Sequence, residues 1–407
     1  MIKWIVCCLI LLSVHALYGN GRDSVNYRVV HFWGGDLRPA YTFPTDCFFK
    51  GENMENKPIR KNISAHLKYG FKFLPAHYLG KYYPYATQGI GIGYNTFGNP
   101  SELGCPLAVY VFQSSRIVAL TSGLSLDYEW NFGASFGWKK YDEMTNFYNR
   151  VVGSKINAYI NVGLLLKWEL SRTTHLRMGV GLTHYSNGNT HYPNAGVNTV
   201  GGSIGFVHYW VPSRKQESFK ASLVADKASF RPYVSYDIIV YGATKKKGIL
   251  LDSGTAILVS GSFAVAGINF NPLYNFSRYF RAGISLDLQY DESANIAKHI
   301  ADFEYSGDEG NVRFYRPSAR EQYSAGLSVR AEVVMPFFSI NLGVGKNFIC
   351  KGADTDSYYQ IFALKADVTK NLFLHAGYQL YRFKDPNHLM LGIGFRFNAR
   401  KGWLSHQ

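Results

Sequence analysis

Between Leu176 and Gly202 the chain reads LRMGVGLTHYSNGNTHYPNAGVNTVGG, and within it His184 and Ser186 stand two residues apart. On an extended strand that spacing puts both side chains on one face. A serine hydroxyl is a poor nucleophile until an adjacent base takes its proton, and the base needs a third group to hold its tautomer. Asn198 is the candidate third group. If the segment folds back about His191 and Tyr192, Asn198 lands opposite His184, where facing Cβ atoms lie about 4.5–5.5 Å apart. Asn187 and the backbone amide of Gly188 could supply donors to a developing oxyanion. These residue types at this spacing fit ester hydrolysis and call for no cofactor and no metal. A histidine and a serine in a polar belt would show the same spacing, so the surrounding strand decides.

In that strand Leu176, Met178, Val180 and Leu182 share a face, and the same parity continues through His184 to Ser186. Arg177, Gly179, Gly181 and Thr183 take the other face, with Tyr185 on it as a structural residue. The imidazole and the hydroxyl therefore point with the apolar side chains, at the strand end away from the tight link at 171–174. If the apolar face meets lipid, that position is tolerable only near the rim, where a polar group costs about 0–1 kcal/mol rather than several. Asn198 shares the parity of Val200, Ile204, Phe206 and Trp210 on the next strand.

The period of two runs through most of the chain. Odd positions from Ile63 to Phe73 are apolar, and Leu124 to Trp138 alternates over fifteen residues, against a usual strand length of about 5–6. Further segments of this kind fall at 87–97, 106–114, 155–169, 175–186, 199–210, 230–242, 255–270, 279–291, 322–334, 337–348, 358–368, 371–382 and 388–397. Tight links such as 171–174, 335–336 and 369–371 alternate with long polar ones at 139–153, 212–229, 243–254 and 292–320. Apolar outside, polar inside, short turns at one end and long loops at the other predict an all-β, antiparallel transmembrane β-barrel of the outer-membrane type. A soluble sandwich would put its polar face outward. Fifteen candidates is odd where barrels of this kind are even; either one is false or Asn26–Trp33 adds another. The expectation is about 14 strands, within 12–16, although the same strands could also split into two smaller barrels. The domain reading is a signal peptide at 1–16, an N-terminal segment at 17–60 that could be partly strand, a barrel at 61–397 and a polar tail at 398–407.

Met1-Ile2-Lys3 followed by an apolar run from Trp4 to Leu12 and a Val14-His15-Ala16 step reads as a secretory signal, giving export to the cell outer membrane. Forty-three Lys and Arg against 28 Asp and Glu leave a formal charge of +15. The cations are scattered along strands, with no basic helix or zinc motif, so nucleic acid is not the expected partner; an anionic, phosphorylated lipid surface suits the charge better. Lys245, Lys246 and Lys247 are candidates to hold lipid phosphates, or else form a solvated loop. Outside the leader the cysteines are Cys47, Cys105 and Cys350, of which Cys47 with Cys105 is the better pair for a disulfide.

His184-Tyr185-Ser186-Asn187, with Asn194 seven positions after Asn187, resembles the active-site motif of the outer-membrane lipid A 3-O-deacylases, barrels of the PagL type related to acyloxyacyl hydrolases. That resemblance implies a His–Ser pair on the barrel exterior, facing the lipid. It also implies a serine esterase acting on the acyl chain ester-linked at position 3 of the lipid A glucosamine. By likeness His184 is the base and Ser186 the nucleophile, while Asn187 and Asn194 shape the oxyanion site. The family's third member is a glutamate fourteen positions after the histidine, where this chain has Asn198. Asp142 or Glu143, in a long loop at the same barrel end, could substitute. The family's barrels are eight-stranded, so the likeness covers roughly 61–211 and leaves 212–407 to be read as further wall.

Lipid A or lipopolysaccharide in the outer leaflet is thus the expected partner. Two rivals remain open: a channel or uptake barrel, favoured by Lys68, Lys72, Asp127, Glu129, Arg281, Asp287, Arg330 and Glu332 on the lumenal parity, and a catalytically inactive lipid-binding barrel. The same charged residues could instead form a neutralised network that fills the lumen.

Overall fold

In the computed structural model the described residues are 28–210, 230–250, 256–259, 261–304, 311–383 and 385–397. The leader at 1–16, the loop at 212–229 and the tail at 398–407 lie outside them. Eight strands form the first closed antiparallel barrel: β1 (Val29–Thr42), β2 (Lys61–Phe73), β3 (Thr87–Thr96), β4 (Gly104–Ala119), β5 (Leu124–Trp138), β6 (Ile156–Glu169), β7 (Thr174–Ser186) and β8 (Val197–Trp210), with β8 closing on β1. The second contains β9 (Tyr233–Lys245), β12 (Phe263–Asn275), β13 (Phe280–Asp291), β16 (Tyr323–Val334), β17 (Phe338–Ile349), β18 (Tyr358–Asp367), β19 (Leu372–Tyr381) and β20 (Asp385–Phe397), with β20 closing on β9. Two small hairpins, β10 (Gly248–Leu250) with β11 (Ala256–Leu258) and β14 (Ile300–Glu304) with β15 (Asn311–Phe314), rise from the long loops of the second barrel.

The sixteen barrel strands lie within the expected range, and each of the fifteen alternating segments overlaps a barrel strand, the one at 255–270 only over its second half. The single wall expected over 61–397 is corrected to two barrels, and the first begins before residue 61, at Val29. β1 supplies the strand that makes the count even, and its edge is the partner β8 needs. Lipid offers no partner for an open edge, so each group of eight must close on itself.

Long links at 43–60, 97–103, 139–155 and 187–196 gather at one end of the first barrel. Four-residue turns at 120–123 and 170–173 lie at the other. Alternate side chains are exposed and apolar on both barrels: Leu67, Ile92, Val180 and Leu182 on the first, Val240, Ile284, Val329 and Ile393 on the second. Such a continuous apolar exterior belongs in hydrocarbon, and among the described residues no helix is long and apolar enough to cross a membrane.

The charged residues read as lumenal are all buried, and they neutralise one another. In the first barrel Lys68 Nζ lies 2.8 Å from Asp36 and 2.5 Å from Glu129, Arg177 lies 2.6 Å from Glu129, and Arg38 pairs with Asp36. In the second, Lys365 bridges Asp237 at 3.0 Å and Glu332 at 2.7 Å, Arg281 pairs with Glu332, and Arg330 lies 2.8 Å from Asp287. An eight-stranded barrel is just wide enough for side chains to fill it, and these fill the middle of each wall. At the long-loop end of the first barrel, Glu102 closes the mouth. Its carboxylate accepts from Met54 N and Asn99 Nδ2, and its carbonyl from Asn146 and Asn149. Charged residues on which the channel reading rested are thus paired with one another inside each barrel.

Glu332 is fully buried and also accepts from Asn341 Nδ2 at 3.1 Å. Replacing it by alanine strands Arg281 and part of the charge of Lys365 in the interior, a change that typically costs about 3–5 kcal/mol. Glu332→Ala is expected to lower the urea midpoint of the protein refolded in lipid vesicles by a corresponding amount. An unchanged midpoint would remove this pair network from the account of stability.

The barrels touch. Phe337 packs on Phe73, Phe338 on Trp130, and the Trp130 indole N–H lies 3.0 Å from Met335 Sδ. Near the long-loop end Lys246 N donates to Asn189 O at 3.1 Å. Lys245 pairs with Asp291 at 2.5 Å and Lys247 with Asp354 at 2.6 Å, so two of the three lysines read as phosphate ligands are committed to carboxylates. All three described cysteines are free. The disulfide expected between Cys47 and Cys105 is absent: Cys47 is exposed at the start of a short helix whose Phe48 and Phe49 are buried, while Cys105 sits on β4 beside the Tyr94 hydroxyl.

Candidate active site

β7 and β8 place the candidate residues by register. His184 faces Asn198 across the ladder, Leu182 faces Val200, and on the other flank Ile160 of β6 faces His184. Because side chains alternate, Leu182, His184 and Ser186 leave the barrel on one side while Tyr185 points in. Tyr185 is buried and donates its hydroxyl to Asn95 Oδ1 at 2.7 Å.

On the outer face three side chains form a chain of hydrogen bonds. Asn198 Oδ1 lies 2.6 Å from His184 Nδ1, and His184 Nε2 lies 2.9 Å from Ser186 Oγ. With the Asn198 carbonyl oxygen at Nδ1, that nitrogen carries the proton and Nε2 presents its lone pair to the hydroxyl. This is the arrangement a general base requires. The backbone of Asn198 is fixed in turn, since Phe43 N donates to its carbonyl at 2.9 Å.

Above the trio the 187–196 loop turns sharply, with Gly188 at φ +63°, Asn189 at +63° and Gly196 at +72°. Asn187 holds this loop together: its Nδ2 donates to His191 O at 2.8 Å, and its backbone N–H donates to Asn194 Oδ1 at 3.1 Å. Asn194 Nδ2 donates to Asn189 Oδ1 at 3.1 Å. Both side-chain amides read from the sequence as oxyanion donors are thus spent on the loop. The N–H of Gly188 has no acceptor among the described residues. Asp142 and Glu143 lie in the loop at the same end, but neither reaches His184. Asp142 caps its own turn, accepting from Met144 N, Thr145 N and Thr145 Oγ1. The Thr145 hydroxyl, followed by those amides, holds its carboxyl below the usual range.

Three features escaped the sequence reading. Gly196 lies against the pair: a Cβ there would come 3.4 Å from His184 Cε1 and 3.1 Å from Tyr185 O. The first loop takes part through Phe43 and through Thr45, whose hydroxyl donates to Gly196 O at 3.0 Å. An open groove of about 450 Å³ runs down the outer wall from His184 and Asn198 between Phe43, Ile160, Val162 and Leu182. The groove residues are legible as outward parity on β6 and β7; the loop contacts have no local signal. Among the described residues no cluster of His, Cys, Asp and Glu could hold a metal ion.

Residues 110–207 match the family model described as lipid A 3-O-deacylase (PagL), and residues 234–399 match the acyloxyacyl hydrolase C-terminal domain. The second barrel, left by the sequence reading as further wall, is thus a recognised domain of its own. No curated protein matches the chain. Among solved structures the outer-membrane enzyme PagL shares 12% identity, covering 43% of this chain and 98% of that one with a TM-score of 0.28. The siderophore receptor PirA from Pseudomonas aeruginosa shares 8%, covering 93% and 82% at 0.24. The CymD monoaromatic hydrocarbon channel shares 9%, covering 93% and 90% at 0.18. The site-bearing wall of the first barrel and nearly all of the second barrel are thus each similar to a model of the PagL-type lipid A 3-O-deacylase and acyloxyacyl hydrolase group.

Proposed function

We propose that this protein is a serine esterase of the outer leaflet that removes an ester-linked acyl chain from lipid A, with the 3-O position the family's own expectation. The observation that carries this reading is the outward Asn198–His184–Ser186 chain at the rim of an apolar wall, directly above an apolar groove. Long loops of such barrels face outward from the cell, and a trio beside them at the rim supports a role on the ester linkages of outer-leaflet lipids.

Ser186 Oγ attacks the ester carbonyl as His184 Nε2 takes its proton. The charge developing on the carbonyl oxygen falls to the Gly188 N–H, helped by the positive-φ turn that turns this amide away from the ladder. Collapse of the tetrahedral intermediate expels the glucosamine hydroxyl, which receives the proton from His184 and leaves an acyl-serine. Water, deprotonated by the same nitrogen, then releases the fatty acid and restores the hydroxyl. Asn198 keeps the imidazole in the working tautomer and offers its dipole, without a full charge, to the imidazolium. No cofactor enters the scheme.

Mass spectrometry of lipid A incubated with the purified protein tests the reading. Loss of one hydroxyacyl mass with wild type and none with Ser186→Ala is expected; unchanged lipid A with both would remove it. A second expectation concerns Gly196. With φ at +72° and His184 beside it, Gly196→Val displaces the imidazole, and misplacement of a catalytic group by about 1 Å costs up to roughly 10²-fold in rate. Deacylation rates of the refolded variant check this, and a wild-type rate would show that the loop does not hold the pair.

A further inference from the structure

The 187–196 loop above the Ser186–His184 pair is held from two sides, and the two barrels share the task. Gly196, at its far end, is fixed by the first barrel: its N–H donates to Val151 O at 3.3 Å, and its carbonyl accepts from the Thr45 hydroxyl at 3.0 Å. Gly188 and Asn189, at its near end, meet the second barrel. The Leu389 side chain fills the space beside Gly188, so that a Cβ added there would stand 2.6 Å from Leu389 Cγ. One residue on, Asn189 O accepts from Lys246 N at 3.1 Å.

The second barrel presents both groups from fixed positions. On β20 His388 and Met390 are buried in the lumen, and alternation turns Leu389 outward with Leu391 and Ile393. Inside the lumen the Lys245 ammonium donates to Asp291 Oδ2 at 2.5 Å and to Asn387 Oδ1 at 2.7 Å. That buried knot ties the end of β9, next to Lys246, to the start of β20, two residues before Leu389. At the short-turn end the barrels are clasped again: the Tyr83 hydroxyl donates to Arg278 O at 3.1 Å, and Arg278 Nη1 donates to Tyr82 O at 3.2 Å.

The two loop residues so held both have left-handed backbones, each at φ +63°. Asn189 carries a Cβ, and such a residue keeps this conformation only where its surroundings impose it. An oxyanion donor, in turn, lowers the barrier only if it is in place before the charge develops. We infer that the second barrel completes the esterase site, with Leu389 and the Lys246 amide as positioning groups that hold the Gly188 N–H where the carbonyl oxygen will become negative. This rests on the esterase reading, in which that N–H is the oxyanion donor. The first barrel then supplies nucleophile and base, and the second supplies the support for the electrophilic side of the site.

Steady-state deacylation of lipid A by the refolded full-length protein tests the inference. Leu389→Ala opens the space beside Gly188 and is expected to lower kcat at least about tenfold with KM unchanged, because a misplaced donor that acts only in the transition state leaves substrate binding alone. Leu389→Met conserves the volume and should restore most of the rate. A second measurement is independent of activity: hydrogen exchange in the peptide that spans the 187–196 loop should be faster in Leu389→Ala than in wild type. A wild type that leaves lipid A intact would sink the esterase reading and this inference with it. With an active wild type, a Leu389→Ala that keeps its kcat or changes KM instead, a Leu389→Met as slow as Leu389→Ala, or unaltered loop exchange would each overturn the inference alone.

Discussion

Ser186→Ala and His184→Ala are each expected to lose at least about 10³-fold in deacylation rate, and the double variant little more than either alone, because residues that act as one unit are grossly non-additive. The expectation follows from the 2.9 Å contact between His184 Nε2 and Ser186 Oγ. With the hydroxyl gone there is nothing to acylate; with the imidazole gone the hydroxyl keeps its proton. Neither side chain supports the barrel interior, since both leave the wall on its outer face, so both variants should refold with the wild-type yield. Kinetics on lipid A in mixed micelles would check this. Additive losses in the double variant would mean that the two residues serve different steps.

Substitution at Asn198 should move the rate in both directions. Asn198→Leu removes the acceptor 2.6 Å from His184 Nδ1, freeing the imidazole to take the wrong tautomer. In serine proteases the corresponding misassignment costs about 10⁴, and a loss of roughly 10²–10³ is expected here because the strand itself still aims the ring. Asn198→Asp keeps the acceptor and adds a charge about one hydrogen bond from the imidazolium, so it should raise turnover, by roughly fivefold at the water-like dielectric of an exposed rim, where such a pair is worth about 1 kcal/mol. The added charge sits at the rim, where its exposure to lipid costs only about 0–1 kcal/mol. Steady-state kcat for the two variants decides the matter. A turnover below wild type in Asn198→Asp would show that Asn198 acts by something other than orienting and neutralising the ring.

Much of this is legible because a strand that crosses a membrane must alternate. The alternation of β5, Leu124–Trp138, marks that strand to the residue, and the same parity tells that His184 and Ser186 face out and that Asn198 meets His184. Closure is harder to read. Which edges pair is a non-local fact, and β1 hides its alternation behind Gly35 and Pro39 on the outward face, leaving Trp33, Leu37 and Tyr41 to carry the pattern. Without β1 the first eight strands cannot close, and one larger wall looks natural. The second barrel's β12, Phe263–Asn275, is shifted beyond the expected segment at 255–270, and Pro272 lies within it, opposite Tyr236. In the site, the sequence names Asn187 and Asn194 but cannot tell that their amide groups are spent on the 187–196 loop. That assignment depends on the loop's own turn, which no periodicity describes.

The central claim is that a hydroxyl on the outer wall is activated by its neighbour and forms an acyl-enzyme with lipid. An alkyl fluorophosphonate carrying a long chain reports on this directly, because it is captured only by an activated nucleophile and its chain should seat in the groove below His184. Peptide mass spectrometry of the labelled protein is predicted to place the adduct on Ser186 in the wild type and to find none in His184→Ala. Label on another residue, or full deacylation of lipid A by a protein that never reacts at Ser186, would contradict the account.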